Sequence, residues 1–268
     1  MAIITISRGS YSKGKEVAEK VAAKLGYECI SREVLIEASE VFNIPEVKLV
    51  RALHDAPSVL DRFTYGKQRY LAYIQAAFLE HVFGDNVVYH GLAGHFFLKG
   101  VAHSLKVRII ADTEDRVKEE MARENISRSE ALKMIKKDDD ERRRWSLALY
   151  GMDTWDPSIY DLVIHIRKIQ ADEAVEIICR TALLEAFKTT RDSQQALEDL
   201  LLAARVKAKL VERHPEVTVT ASRGQVFVNI HEPLELERAI TEDVQMLASR
   251  VDGVKSVKVH VMPSTPYE

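Results

Sequence analysis

The chain has 268 residues, 46% hydrophobic and 29% charged, with a formal net charge of -3. Such a composition describes a folded globular protein with chain enough for one medium domain and a small one, and leaves no need for long disorder. The absent basic excess argues against nucleic acid as a partner, and Cys29 and Cys179, far apart and alone, indicate neither a disulfide framework nor a zinc site.

In chain order, the first element is the apolar run Ile3-Ile6, followed by Gly9, Gly14 and Lys15 and then a helical pattern. Gly9-x-x-x-x-Gly14-Lys15 fits a phosphate-binding loop, in which backbone N–H groups and the first helical turn surround phosphate oxygens and a lysine adds a cation. The candidate nucleotide-binding residues are therefore Gly9, Ser10, Tyr11, Ser12, Lys13, Gly14, Lys15 and Glu16. The hydroxyl that should help hold Mg²⁺ is missing, because Glu16 and Val17 occupy the next positions.

Tyr27-Ile30, Val87-Tyr89, Val107-Ala111 and Leu162-Ile166 read as further buried strands between helical segments, which predicts a five-stranded parallel sheet. Leu71, Ile74, Phe78 and Val82 mark one face of a helix stopped by Gly84, and Ser127 to Glu130 forms a capping box opening another. Tyr70, Tyr73 and Phe78 fit core packing better than base stacking. Histidines 90, 95 and 103 lack an acidic partner at helix spacing, and Asp156-Pro157 reads as a turn, so no protein metal site is assigned. KKDDDERRRW at 136–145 puts Asp139, Arg142 and Arg143 within one helical turn, where carboxylates orient guanidinium groups toward phosphate or simply form a solvated face.

After about residue 188 the pattern changes. A helix from Gln194 to Glu212, strands at Val217-Val219 and Val226-Ile230 around an Arg223-Gly224 turn, a helix from Leu234 to Arg250 and a strand through Val257, Val259 and Val261 predict a small α-β-β-α-β unit. The expected division is residues 1–188 and 192–262. MAIITISRG lacks a basic segment before an apolar stretch and no run of about 18 apolar residues occurs, so the cytoplasm is the expected location and no membrane span is expected.

The ordered segments SRGSYSKGKEVA, ISREVLIEA, VVYHGLAGHFFLKG and DDDERRRWSLALYGMDTWDPSIYDLVI resemble the cytidylate-kinase-like family of P-loop proteins over about residues 1–180. The resemblance implies a P-loop kinase-like sheet, use of ATP and Mg²⁺, and transfer of a γ-phosphate to a nucleotide, nucleoside or other small acceptor. Ser7, Arg8, Ser12, Gly14 and Glu16 match the family's loop, with Lys15 in place of its usual Arg. Asp139, Arg142, Trp145, Tyr150, Tyr160, Asp161 and Leu162 match its lid stretch and following strand. By implication Arg142 stabilises the transferring group, with Arg143 beside it and Lys15 as the third catalytic candidate. Gly91-Leu92-Ala93 and Ser31-Arg32-Glu33 depart from the family's acceptor segments. Arg32 and Arg62 stand as candidate acceptor-binding residues, and Lys67, His90 and His95 either line the same pocket or serve as surface charge and packed histidines. The tail at 192–262 resembles a BON domain, which implies membrane or ligand binding; with neither a signal peptide nor a basic patch in the sequence, a regulatory or oligomerising role is the more economical expectation, beside the alternative of a packed appendage. A noncatalytic nucleotide sensor is the rival function.

Overall fold

The structure, a computed structural model, describes residues 2–9, 12–31, 66–91 and 94–263. Ser10, Tyr11, Arg32, Arg62 and Leu92 from the sequence reading lie outside these described residues.

β1 (Ile3–Arg8) is the central strand of a sheet ordered β2-β3-β1-β4-β5, with β2 (Glu28–Ser31), β3 (Val87–His90), β4 (Ser104–Ala111) and β5 (Leu162–Ile166) all parallel to their neighbours. Its burial is continuous from Ile3 to Ser7, Thr5 included, because a strand covered by helices on both faces has no solvent side on which to alternate. The five-stranded parallel sheet expected from the sequence is therefore present.

Helices cover the two faces as separate cores. On one side α1 (Gly14–Leu25) sets Val17, Ala18 and Val21 against Ala174, Val175 and Ile178 of α5 (Ala171–Ala182) and the β1 and β4 side chains Ile4, Ile6 and Val107. On the other, α2 (Gly66–Val82) buries Tyr70, Tyr73, Ile74 and Phe78. Full burial of side chains such as Phe78 contributes roughly 1.5–3 kcal/mol each. The aromatic residues of α2 thus belong to the core, and Val82 is its last helical residue, two before Gly84. From β4 the chain runs through α3 (Thr113–Glu124) into the long α4 (Arg128–Tyr150), whose start is fixed by the Ser127/Glu130 capping box. Gly151, at φ 64°, closes the other end by donating its N–H to Leu147 O.

Beyond β5 and α5, α6 (Arg191–Leu210) serves two cores. Leu197, Leu201, Ala204 and Ala208 join α2, while Leu202, Val206 and Leu210 pack on a second sheet of β6 (Thr218–Ser222), β7 (Gln225–His231) and β8 (Ser256–Met262), together with α7 (Glu237–Ala248). β7 pairs antiparallel with β6 and parallel with β8, giving the α-β-β-α-β order expected of the tail. Arg223 and Gly224 turn between β6 and β7 with φ of 50° and 87°, the positive values that a type I′ hairpin needs at both central positions. Two helix starts in the tail differ from expectation. α6 starts earlier because the Thr190 hydroxyl accepts the Ser193 N–H, and the helix expected from Leu234 opens as a 3₁₀ turn at Leu234–Leu236 before α7 begins, a common form of helix entry.

Candidate functional site

The loop that leaves β1 stands where β1 separates β3 from β4, at the carboxyl ends of the strands, the place where open parallel sheets form their ligand crevice. Ser12 is buried and its hydroxyl lies 3.0 Å from Gly9 O and 3.3 Å from Ile109 O of β4, tying the loop to the neighbouring strand. Gly9 N–H also donates to Ile109 O at 3.4 Å. Lys13 then occupies the N-cap of α1 in the left-handed region, φ 61°, and supplies no side-chain cap to the helix. Backbone donors in the first turn of α1 are thus left for an anion, on the end of the helix that favours negative charge.

Gly14 has a more specific reason to be glycine. A Cβ there would stand 2.6 Å from Arg8 Cβ and 2.7 Å from Arg8 Cδ, so the start of α1 passes directly over the last residue of β1. Lys15 lies on the exposed side of that turn, 3.8 Å from Glu19, with 65% of its side chain accessible. The Glu16 carboxylate accepts from Lys20 at 2.8 Å, and Lys20 reaches Asp172 of α5 at the same distance. These hydrogen bonds, first to Asp172 and then to Glu16, hold Lys20 above its ordinary pKa.

α4 brings one of the two expected arginines, Arg142, to the same place. Arg142 donates to Arg8 O at 3.4 Å, which connects the helix to the carboxyl end of β1. Arg143 instead forks onto Asp153, with Nε and Nη2 at 3.0 and 2.6 Å from one oxygen, and its guanidinium lies 4.7 Å from the Trp155 ring centroid. The Arg143 hydrogen bond, with help from Trp155 N–H, keeps the Asp153 carboxyl below the usual carboxylate range. Asp139 meets Arg116 of α3 at 2.8 Å rather than serving only its own helix.

Arg116 was not legible as a site residue. Its side chain is 10% exposed, and its guanidinium carbon lies 3.6 Å from the Cβ position of Gly9. Arg8, Arg116 and Arg142 therefore converge on the turn at 8–9. Nothing in the run T-E-D-R-V at 113–117 distinguishes Arg116 from a surface arginine; its role appears only when α3 is laid beside the loop. Replacing it should be costly to the fold, since the partly buried Asp139 would lose its cation: Arg116→Met is expected to lower stability by about 1–3 kcal/mol in urea unfolding.

On the other flank, Ser31 and His90, the last residues of β2 and β3, are register neighbours, and His90 also pairs with Ile6 of β1. Tyr160 Oη lies 3.2 Å from Ser7 Oγ, accepts from Arg108 at 3.2 Å and donates to Thr154 O at 3.0 Å, closing the floor beneath the loop. His95 is stacked 4.9 Å from the Tyr160 ring and is 5% exposed. Burial first, then Lys106 and Arg108, lower its pKa from 6.5 to about 3. An unfolded chain therefore takes up a proton below pH 6.5 that the folded one refuses, and stability falls as the pH drops toward 3. At pH 5 the loss from this one group is about 2 kcal/mol, and His95→Phe should flatten that part of a urea-midpoint profile measured between pH 7 and 5.

Among the described residues no three His, Cys, Asp or Glu side chains gather into a metal site. Glu16 is engaged by Lys20, and the Val17 side chain is fully buried. Neither residue following Lys15 therefore fits as a direct Mg²⁺ ligand.

The family model described as the cytidylate kinase-like family matches residues 3–168. The chain belongs to that family. A cytidylate kinase of Archaeoglobus fulgidus is 28% identical to this cytidylate kinase-like chain over 190 residues, 69% of this chain and 97% of the relative. A cytidylate kinase of Sulfurisphaera tokodaii is 33% identical over 93 residues, 35% of this chain, and the match spans about half (51%) of that relative's length. Among solved structures, an uncharacterized protein from Eubacterium ventriosum superposes with a TM-score of 0.53 at 23% identity, covering 68% of this chain and 98% of its own, which is a likeness of fold.

Proposed function

We propose that this cytidylate kinase-like protein is an ATP-dependent phosphotransferase that moves a γ-phosphate to a nucleotide, nucleoside or other small acceptor. The observation that carries this reading is the uncapped start of α1 at the carboxyl end of the central strand, with Arg142 reaching the same turn from α4. Phosphoryl transfer asks a protein mainly to position its reactants and to neutralise charge on the transferring group. In this reading backbone groups from Gly9 to Glu16 hold the nucleotide phosphates and Lys15 swings from Glu19 onto the β and γ oxygens. Arg142 and Arg143 close over the transfer. Arg32 and Arg62 face the acceptor, and an acceptor that is already an anionic phosphate needs no general base. Mg²⁺, which this chemistry uses to neutralise phosphate charge, would be carried by the nucleotide and water. The cytoplasm is the proposed setting, and residues 192–262 are proposed as a BON-like regulatory or oligomerising unit apart from the kinase-like residues 1–188.

A noncatalytic nucleotide sensor is the second reading. It is favoured by the fork of Arg143 on Asp153 and the ion pair of Glu16 with Lys20, which leave two expected site residues committed elsewhere. One experiment separates the two. A coupled assay with ATP and Mg²⁺ across nucleoside monophosphates, nucleosides and small metabolites should give turnover with at least one acceptor. Calorimetric ATP binding without any turnover would favour the sensor, and absence of binding would remove both.

A further inference from the structure

At the end of the molecule opposite the loop, the described residues form a cleft of about 400 Å³, a size typical of small-ligand pockets. It opens between α6, the β6–β7 turn, the turn before β8 and Phe83. Phe83 immediately follows α2 and precedes the start of β3, so the cleft adjoins the amino ends of the parallel strands, whereas the phosphate loop leaves their carboxyl ends.

The walls are fixed in advance of any ligand. Gly224 O accepts from Lys255 N–H at 2.8 Å, locking the two turns together. A Cβ on Gly224 would stand 2.9 Å from the Lys255 side chain and 3.0 Å from Gly253 O. Asp199 accepts from Arg223 N–H at 2.6 Å and from Gln195 at 3.1 Å, which fastens the hairpin turn to α6. Apolar surface comes from Leu201 and Leu202 and from Phe83, 38% exposed.

The charges divide into committed and uncommitted groups. Arg205 forks onto Glu80, with Asp252 near enough to add to its charged state, and Asp199 is engaged as above. Arg223, Lys255 and Glu198 enter no salt bridge among the described residues, although all three line the cleft. Three cations (Arg205, Arg223, Lys255) balance three carboxylates (Glu198, Asp199, Asp252). A net anion such as a nucleotide would meet the carboxylates uncompensated, and a net cation would meet the arginines and lysine. A ligand with one group of each sign satisfies both.

We propose that this cleft binds a zwitterionic ligand of amino-acid or short-peptide type, its carboxylate on Arg223 and Lys255, its ammonium on Glu198 and its apolar side chain against Phe83 and Leu202. The assignment is independent of the chemistry at the loop. It is tested by calorimetric titration of the full chain with leucine, phenylalanine and the dipeptide leucyl-phenylalanine, and with the dipeptide N-acetylated or C-amidated. At least one free zwitterion should bind, and each blocked dipeptide should bind about tenfold or more weaker than the free one, the size expected for losing one charge-assisted hydrogen bond. Lys255→Met and Glu198→Gln, both at exposed positions, should each weaken binding by a similar factor with an unchanged melting temperature. Absence of binding by every probe, equal binding of blocked and free dipeptides, or undiminished binding by both variants would overturn the proposal.

Discussion

Gly14→Ala is expected to abolish tight nucleotide binding while leaving a folded protein. The added methyl would sit 2.6 Å from Arg8 Cβ, and a Cβ is one bond from the backbone of the central strand, so it cannot swing aside as the end of a side chain would. The start of α1 must move instead, carrying the donors of its first turn away from the phosphate position. Overpacking of this kind costs roughly 1–3 kcal/mol of stability. Displacement of the donors should weaken ATP by more than about tenfold, or 1.4 kcal/mol. Gly84→Ala is the control, because nothing lies within 4 Å of a Cβ there and its affinity should match the parent. Calorimetry and urea unfolding on the two variants read both effects, and parental affinity in Gly14→Ala would show that the phosphate position lies elsewhere.

For Arg142→Ala the expected effect lies in turnover. Its side chain reaches Arg8 O at the end of β1 at 3.4 Å, and under the proposed function an arginine acting only on transition-state charge contributes about 10³ or more in rate. The variant should therefore lose roughly 10³ in kcat with a much smaller change in ATP affinity. Arg142→Lys should recover little, since an ammonium replaces the fork by a point charge. Arg143→Ala should behave differently: its guanidinium is bonded to Asp153 and stacked on Trp155, so the first consequence is a looser segment at 151–156. Steady-state kinetics on the three variants distinguish these roles, and an unchanged kcat in Arg142→Ala would remove it from the transfer step.

Much of the architecture was open to a reading of local pattern. A strand between helix-covered faces is buried on both sides and reads as mainly apolar, as Ile3-Ile4-Thr5-Ile6 does; a capped helix announces its start, and Ser127 with Glu130 does. The hairpin at Arg223-Gly224 needs two positive φ values, and the small tail declared itself through strict alternation at Val226, Val228 and Ile230. The loop was legible for the same reason: its glycines, its lysine and the flanking strand and helix lie within one short segment. The site's wider wiring was not. The pattern of charges at 136–145 made Asp139 a partner for its own helix, yet it meets Arg116 of α3, while Arg143 looks ahead to Asp153.

The division follows from what each kind of information contains. Hydrophobic period, caps and turn residues act over a few positions, so the five parallel strands, the Ser127/Glu130 helix start and the small second sheet could be derived from residues alone. Long charged side chains reach several ångströms in any direction and take whichever partner the packed helices bring close. Only the tertiary structure decided that Arg8, Arg116 and Arg142 share one turn, that Gly14 yields to Arg8, and that Phe83 and Lys255 face one cleft, because each of these is a meeting of segments distant in the chain.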